Sequence, residues 1–140
     1  MEVSLVRKRL QSAIEQARQR AQQRRQRVAE AERAYAQFLD NVAVPVARML
    51  QNALKAEGVP FTLFTPSGTL RLAADRGRDD YVELQLDVSG DEPEVVALVS
   101  RTRGSRTITT ERPIKPGMPP EAVTESDVLE FLVQTLEPWL

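Results

Sequence analysis

The sequence predicts an α+β fold: a long N-terminal helix kinked near Pro45, a five-stranded antiparallel meander sheet, and a C-terminal helix packed on that sheet. Three observations carry this. Apolar residues recur with a helical period up to residue 57, with no glycine before Gly58. The period then changes to two, in short apolar segments separated by turn residues. Finally, a capping residue, Thr124, opens a second helical pattern near the chain end.

The first segment, residues 2–57, is composed of helix formers. Residues 11–27 hold 6 Gln, 5 Arg and 3 Ala. Placed at 100° per residue, Val3, Val6, Leu10, Ala13, Ile14, Ala17, Ala21, Val28, Ala31, Tyr35, Leu39, Val42, Val46, Met49 and Ala53 fall on one stripe about 120° wide. The stripe is expected to keep its direction throughout, as in an amphipathic helix of period 3.6 rather than a 3.5-residue heptad coiled coil. Pro45 removes the hydrogen bond to the Asn41 carbonyl, which predicts a kink or short break over 40–44. Gly58 occupies the left-handed position after the helix, Val59 can touch Leu54, and Pro60 stops continuation.

Five strands follow, at 61–65, 69–74, 81–88, 94–102 and 106–112. Pro66-Ser67-Gly68, residues 75–80, Ser89 to Pro93 and Gly104-Ser105 supply the turns. Connections this short favour an antiparallel meander. Val82, Leu84, Leu86 and Val88 alternate with Tyr81, Glu83, Gln85 and Asp87, the pattern of a strand with one buried face. The run Val95 to Val99 is apolar on both faces and reads as central. After the proline-rich connector Pro113–Pro120, Thr124 caps the last helix, with Asp127 at its third position and Val123 against Val128 as a hydrophobic staple. Its inner face is Val128, Phe131, Leu132, Leu136 and Trp139.

Residues 1–57 thus read as a helical arm, and residues 58–140 as sheet plus last helix, one unit with the end of the arm. The chain has 140 residues, net charge −1, and neither histidine nor cysteine. That composition lacks the means for a Ser-His-Asp or Cys-His nucleophile, a standard zinc site or a disulfide. No cofactor or metal is expected, and the protein reads as non-enzymatic. A leader-like apolar stretch is missing from "MEVSLVRKRLQSAIEQ", and the longest apolar runs, 42–47 and 95–99, are far shorter than the ~20 residues of a membrane span. A cytoplasmic location is the expectation.

The near-zero net charge conceals a split. Residues 1–57 carry 11 basic and 6 acidic side chains (+5), and residues 58–140 carry 8 and 14 (−6). A helix of about 40 residues is about 60 Å long, whereas the remaining chain folds to a diameter of about 30 Å. Much of the helix must overhang, and the overhang still carries Val3, Val6, Leu10 and Ile14. Each large aliphatic side chain left in water forgoes about 1.5–3 kcal/mol of burial. The expected contact surface is therefore Val3, Val6, Leu10, Ile14, Ala17, Ala21, Val28 and Tyr35, and the expected assembly a homo-oligomer, a dimer in the simplest form. Arg7, Arg18 and Arg25 line one edge of this stripe; Arg9, Arg20 and Arg27 line the other. Arginine stems beside an apolar stripe suit an apolar surface with an acidic rim, on this protein or another.

Other readings of the same features are weaker. "RQRAQQRRQR" could meet nucleic acid, but the opposite face is mixed in charge and no aromatic residue precedes Tyr35 for base stacking. A ligand or enzyme site between sheet and helices is a further alternative. The acidic loop around Asp75, Arg76, Arg78, Asp79 and Asp80 reads as a solvated turn rather than a cation site. Arg101, Arg103, Arg106 and Arg112 read as charges guarding an edge strand rather than an anion patch.

Overall fold

A computed structural model describes residues 1–77 and 79–140. It contains helix α1 (Val3–Phe38), a π-helical segment (Leu39–Ala43) and helix α2 (Val44–Ala56). Strands β1 (Phe61–Phe64), β2 (Leu70–Ala74), β3 (Tyr81–Asp87), β4 (Glu94–Arg103) and β5 (Arg106–Pro113) follow. A 3₁₀ turn (Pro120–Ala122), helix α3 (Glu125–Leu136) and a closing turn (Glu137–Trp139) complete the chain. The expected α+β architecture is present.

The interruption expected before Pro45 takes the form of a π turn. The Val44 amide donates to the Leu39 carbonyl, five residues back, and the helix continues. Proline has no N–H to offer and its ring crowds the preceding turn; widening that turn by one residue removes both conflicts. The extra residue has a second effect, which overturns the expectation of one unbroken stripe. Each inserted residue rotates everything after it by about 100°. In α2 the buried positions are accordingly Val46, Ala47 and Leu54, while Ala53 is exposed and Met49 is 62% exposed. The helix ends as the sequence indicates. Gly58 has φ +78°, its amide bonds the Lys55 carbonyl at 3.1 Å, and the Val59 amide bonds the Leu54 carbonyl at 2.9 Å.

The five strands form one antiparallel sheet in the order β1-β2-β3-β4-β5. Register brings Leu72 opposite Val82, Val82 opposite Val99 and Leu84 opposite Ala97, so these side chains share one face. Against that face pack Phe38, Ala43, Ala47 and Leu54 from the N-terminal helices and Val128, Leu132 and Leu136 from α3. In β4, Val95, Ala97 and Val99 enter this core, and Val96 and Ser100 are buried on the opposite face, as a central strand requires. Strand β5 is an edge, exposed along nearly its whole length. Thr124 caps α3 by accepting from the Asp127 amide at 3.2 Å while its own amide donates to the Asp127 carboxylate at 2.9 Å. Among the described residues, no helix is long and apolar enough to cross a membrane.

Candidate functional site

Helix α1 meets the rest of the protein only over its last third. Every residue from Met1 to Arg27 is exposed; Val28 is the first to be half-covered, and Ala31 the first to be buried. At 1.5 Å per residue, about 37 Å of α1 projects as a free arm. It carries the apolar residues the periodicity picked out: Val3 is 82% and Leu10 58% exposed, and Val6, Ile14, Ala17 and Ala21 are exposed with them. Val28 sits at the junction. Tyr35 differs from the others, because its ring is 5% exposed and stacks on Phe38 in the protein's own core.

Arg7, Arg9, Arg18, Arg20, Arg25 and Arg27 are all exposed. The ion pairs among the described residues are Arg71–Glu83 and Lys115–Asp127, so none of the six is held by a carboxylate. Near the tip, Met1, Leu5, Val6, Leu10 and Ala13 form a continuous apolar patch around Arg9. Leu5 was not on the expected stripe. The signal was nevertheless there, since Leu5 lies four residues after Met1 and four before Arg9, a spacing that puts all three on one helical face.

Where α1 joins the body, a trough of about 600 Å³ runs beside it. One wall is Glu32, Tyr35, Ala36, Leu39 and Asp40; the other is built from Gly68 and Thr69 and from Gln85, Leu86 and Val88. The charged residues of this lining are Glu32 and Asp40, both exposed at the rim. The Tyr35 hydroxyl is buried without a hydrogen-bond partner. Burial first, and then the Glu83 carboxylate, push it well above the usual phenol range, so it remains a neutral hydroxyl. Periodicity in α1 alone does not reveal this trough, because half of it comes from the β1–β2 turn and the end of β3, about thirty to fifty residues further along the chain.

The remaining clusters have structural duties. Asp75 accepts from the Thr62 hydroxyl at 2.6 Å, and Asp80 accepts from the Thr102 amide at 2.7 Å. Among the described residues no group of three His, Cys, Asp or Glu is placed to hold a metal ion; Arg78 of the same loop lies outside the described residues. The guanidinium of Arg101 lies 5.6 Å from the ring of Trp139 in the turn after α3, and that of Arg112 lies 5.6 Å from Phe131 of α3 itself. On the sheet face opposite the core, Arg71 covers Tyr81 at 4.0 Å and pairs with Glu83 at 3.2 Å, and Gln85 donates to Glu83 at 3.0 Å. The chain matches no family model, no curated protein and no solved structure.

Proposed function

We propose that this chain is a non-enzymatic interaction protein that assembles with a second copy of itself through residues 3–39, leaving its sheet and last helix as a binding surface or small adaptor unit. The observation that carries the reading is the free arm. Residues 1–27 are exposed throughout and hold Val3, Leu5, Val6, Leu10 and Ile14 in the open. Most helical stability in proteins comes from packing of an amphipathic face, and a second copy offers the same stripe in return. The arginine borders support contact with an acidic-rimmed surface, and the trough edged by Glu32 and Asp40 is one.

The test is the solution mass of the whole chain and of a truncation beginning at Val28. The expected outcome is a dimer for the whole chain at tens of micromolar and a monomer for the truncation. A monomeric whole chain with an ordered arm removes the basis of the proposal. Nucleic-acid binding that is strong at low salt and lost on removing residues 1–27 would favour the alternative use of this helix.

A further inference from the structure

We infer that the β5 edge of the sheet takes up an extended acidic peptide segment of a partner protein as a sixth, antiparallel strand. The inference rests on the adaptor role proposed above and gives it a place and a class of partner.

The backbone gives the first argument. Residues of an antiparallel strand alternate between bonding their neighbour and facing away from it. The Ile114 amide donates to the Val95 carbonyl at 3.0 Å, so Arg106, Ile108, Thr110 and Arg112 also face β4. The amides and carbonyls of Thr107, Thr109 and Glu111 therefore point outward. Strand β5 is last in the sheet, and no other element among the described residues supplies them with a partner. Edges are commonly blunted by a bulge, an interior proline or shortness. Strand β5 has none of these: it pairs one-to-one with β4 over 8 residues, and Pro113 is the last of them.

Charge gives the second. Arg106, Ile108, Thr110 and Arg112 line β5 on the side of the sheet that carries α3, with Arg103 and Arg101 of β4 opposite Arg106 and Ile108. The ion pairs among the described residues leave all four arginines without a carboxylate. Ile108 is 51% exposed between them. The one carboxylate of the strand, Glu111, lies on the other side. A strand laid along β5 thus meets arginine at two points six residues apart, about 20 Å, with an isoleucine and a threonine between. Carboxylates at that spacing, flanking apolar residues, are the complement.

The same arginines make a second copy the wrong occupant. Pairing two β5 strands antiparallel, with both cores on one side, places the two-fold axis on a residue. With the axis at Thr109, Arg106 lies directly opposite the other copy's Arg112. At Ile108 or Thr110 those two become diagonal neighbours. At Thr107 or Glu111, Arg106 or Arg112 meets its own counterpart diagonally. Long side chains reach such neighbours, and like charges there repel. The sheet's other edge, β1, is 4 residues long and brings no carboxylate. The charge that keeps two β5 edges apart is the charge that draws in an acidic strand.

The probe is a blocked peptide, Glu-Thr-Val-Thr-Val-Thr-Glu, whose ends fall opposite Arg112 and Arg106 when it runs antiparallel to β5. Its twin carries lysine at both ends, and each is titrated calorimetrically into the whole chain. The acidic peptide is expected to bind about tenfold more tightly than the twin. Its binding should slow amide exchange at Thr107, Thr109 and Glu111, leaving Ile108 and Thr110, already bonded to β4, unchanged. Arg106→Glu together with Arg112→Glu is expected to reverse the preference. Thr109→Pro removes one outward N–H and leaves the β4 ladder intact; it should weaken the acidic peptide about tenfold. Urea unfolding checks that both variants fold. Both keep every arginine of the arm, so acidic-peptide binding that survives them belongs to the arm and overturns the seat. Equal affinity for the two peptides overturns it as well. A chain that is dimeric by mass yet ignores the acidic peptide overturns this seat alone, whereas a monomer that binds it overturns the assembly alone.

Discussion

Replacing Leu10 with glutamine tests the proposed role of the arm in association apart from any role in folding. Glutamine keeps helix propensity close to that of leucine, so the backbone of α1 has no reason to change. Leu10 is 58% exposed in the single chain and touches nothing in the core. Full burial of a leucine is worth about 1.5–3 kcal/mol, so covering the exposed part contributes about 1–2 kcal/mol per chain. A symmetric dimer contains the contact twice, for a loss of about 2–3.5 kcal/mol. At 1.4 kcal/mol per decade, that weakens the dimer about 30- to 300-fold. Sedimentation velocity across a concentration series reads the dissociation constant. Urea unfolding at a concentration where the protein is monomeric reads the fold, whose stability should move by less than about 0.5 kcal/mol. A dissociation constant within threefold of the parent, or a large loss of monomer stability, would refute the assignment of Leu10 to an interface.

Three further outcomes follow from the body. Gly58→Ala should lower the unfolding free energy by about 1–2 kcal/mol, because φ +78° strains any side-chain-bearing residue while the space around it is open; denaturant titration checks this. Tyr35→Phe should leave stability unchanged or raise it by about 1 kcal/mol, since the hydroxyl it removes is buried and unpartnered, and a marked loss in thermal or urea unfolding would mean that the hydroxyl is bonded. The Asp127 carboxyl is held below its ordinary 3.8, first by the Thr124 amide, then by the Thr124 hydroxyl and Lys115. A depressed native pKa gives stability that is present above the unfolded value and lost as pH falls through the native one. The parent should therefore lose more stability than Asp127→Asn on going from pH 5 to pH 2, measured by urea unfolding at each pH.

Local signals in this sequence were legible where a single motif decides the backbone. Gly58 with Val59 and Pro60 placed the end of the helical segment, and Thr124 with Asp127 placed the start of the last helix, because each satisfies orphaned amide or carbonyl groups in one geometric way. The alternation over Tyr81–Asp87 identified its inner face for a similar reason: a one-residue slip would expose Val82 and Leu84. Pro45 was less decisive. A proline can kink, break or bulge a helix, and the choice here falls to packing, since Leu39, Ala43 and Ala47 must all reach the same core. That choice moved Met49 to the surface, which no count along the chain reveals. Of the proposed interaction surface, the arm was legible because its pattern is contained in one helix. Its acidic trough was not, because Asp40 and Val88 become neighbours only through the sheet.

The way α1 is held also sets how its order decays. Starting a helix in isolation is disfavoured about a thousandfold at the nucleating turn, whereas adding a residue to an existing helix is nearly neutral. Residues 28–56, fixed by the sheet and α3, are a permanent nucleus from which the arm need only grow outward. Amide hydrogen exchange in the single chain should therefore show a gradient, slow at Ala31 and quickening steadily towards Val3, rather than one cooperative opening. The protein's most exposed apolar side chains thus lie at the end of the helix that unwinds first, ready to reel in whatever restores its order.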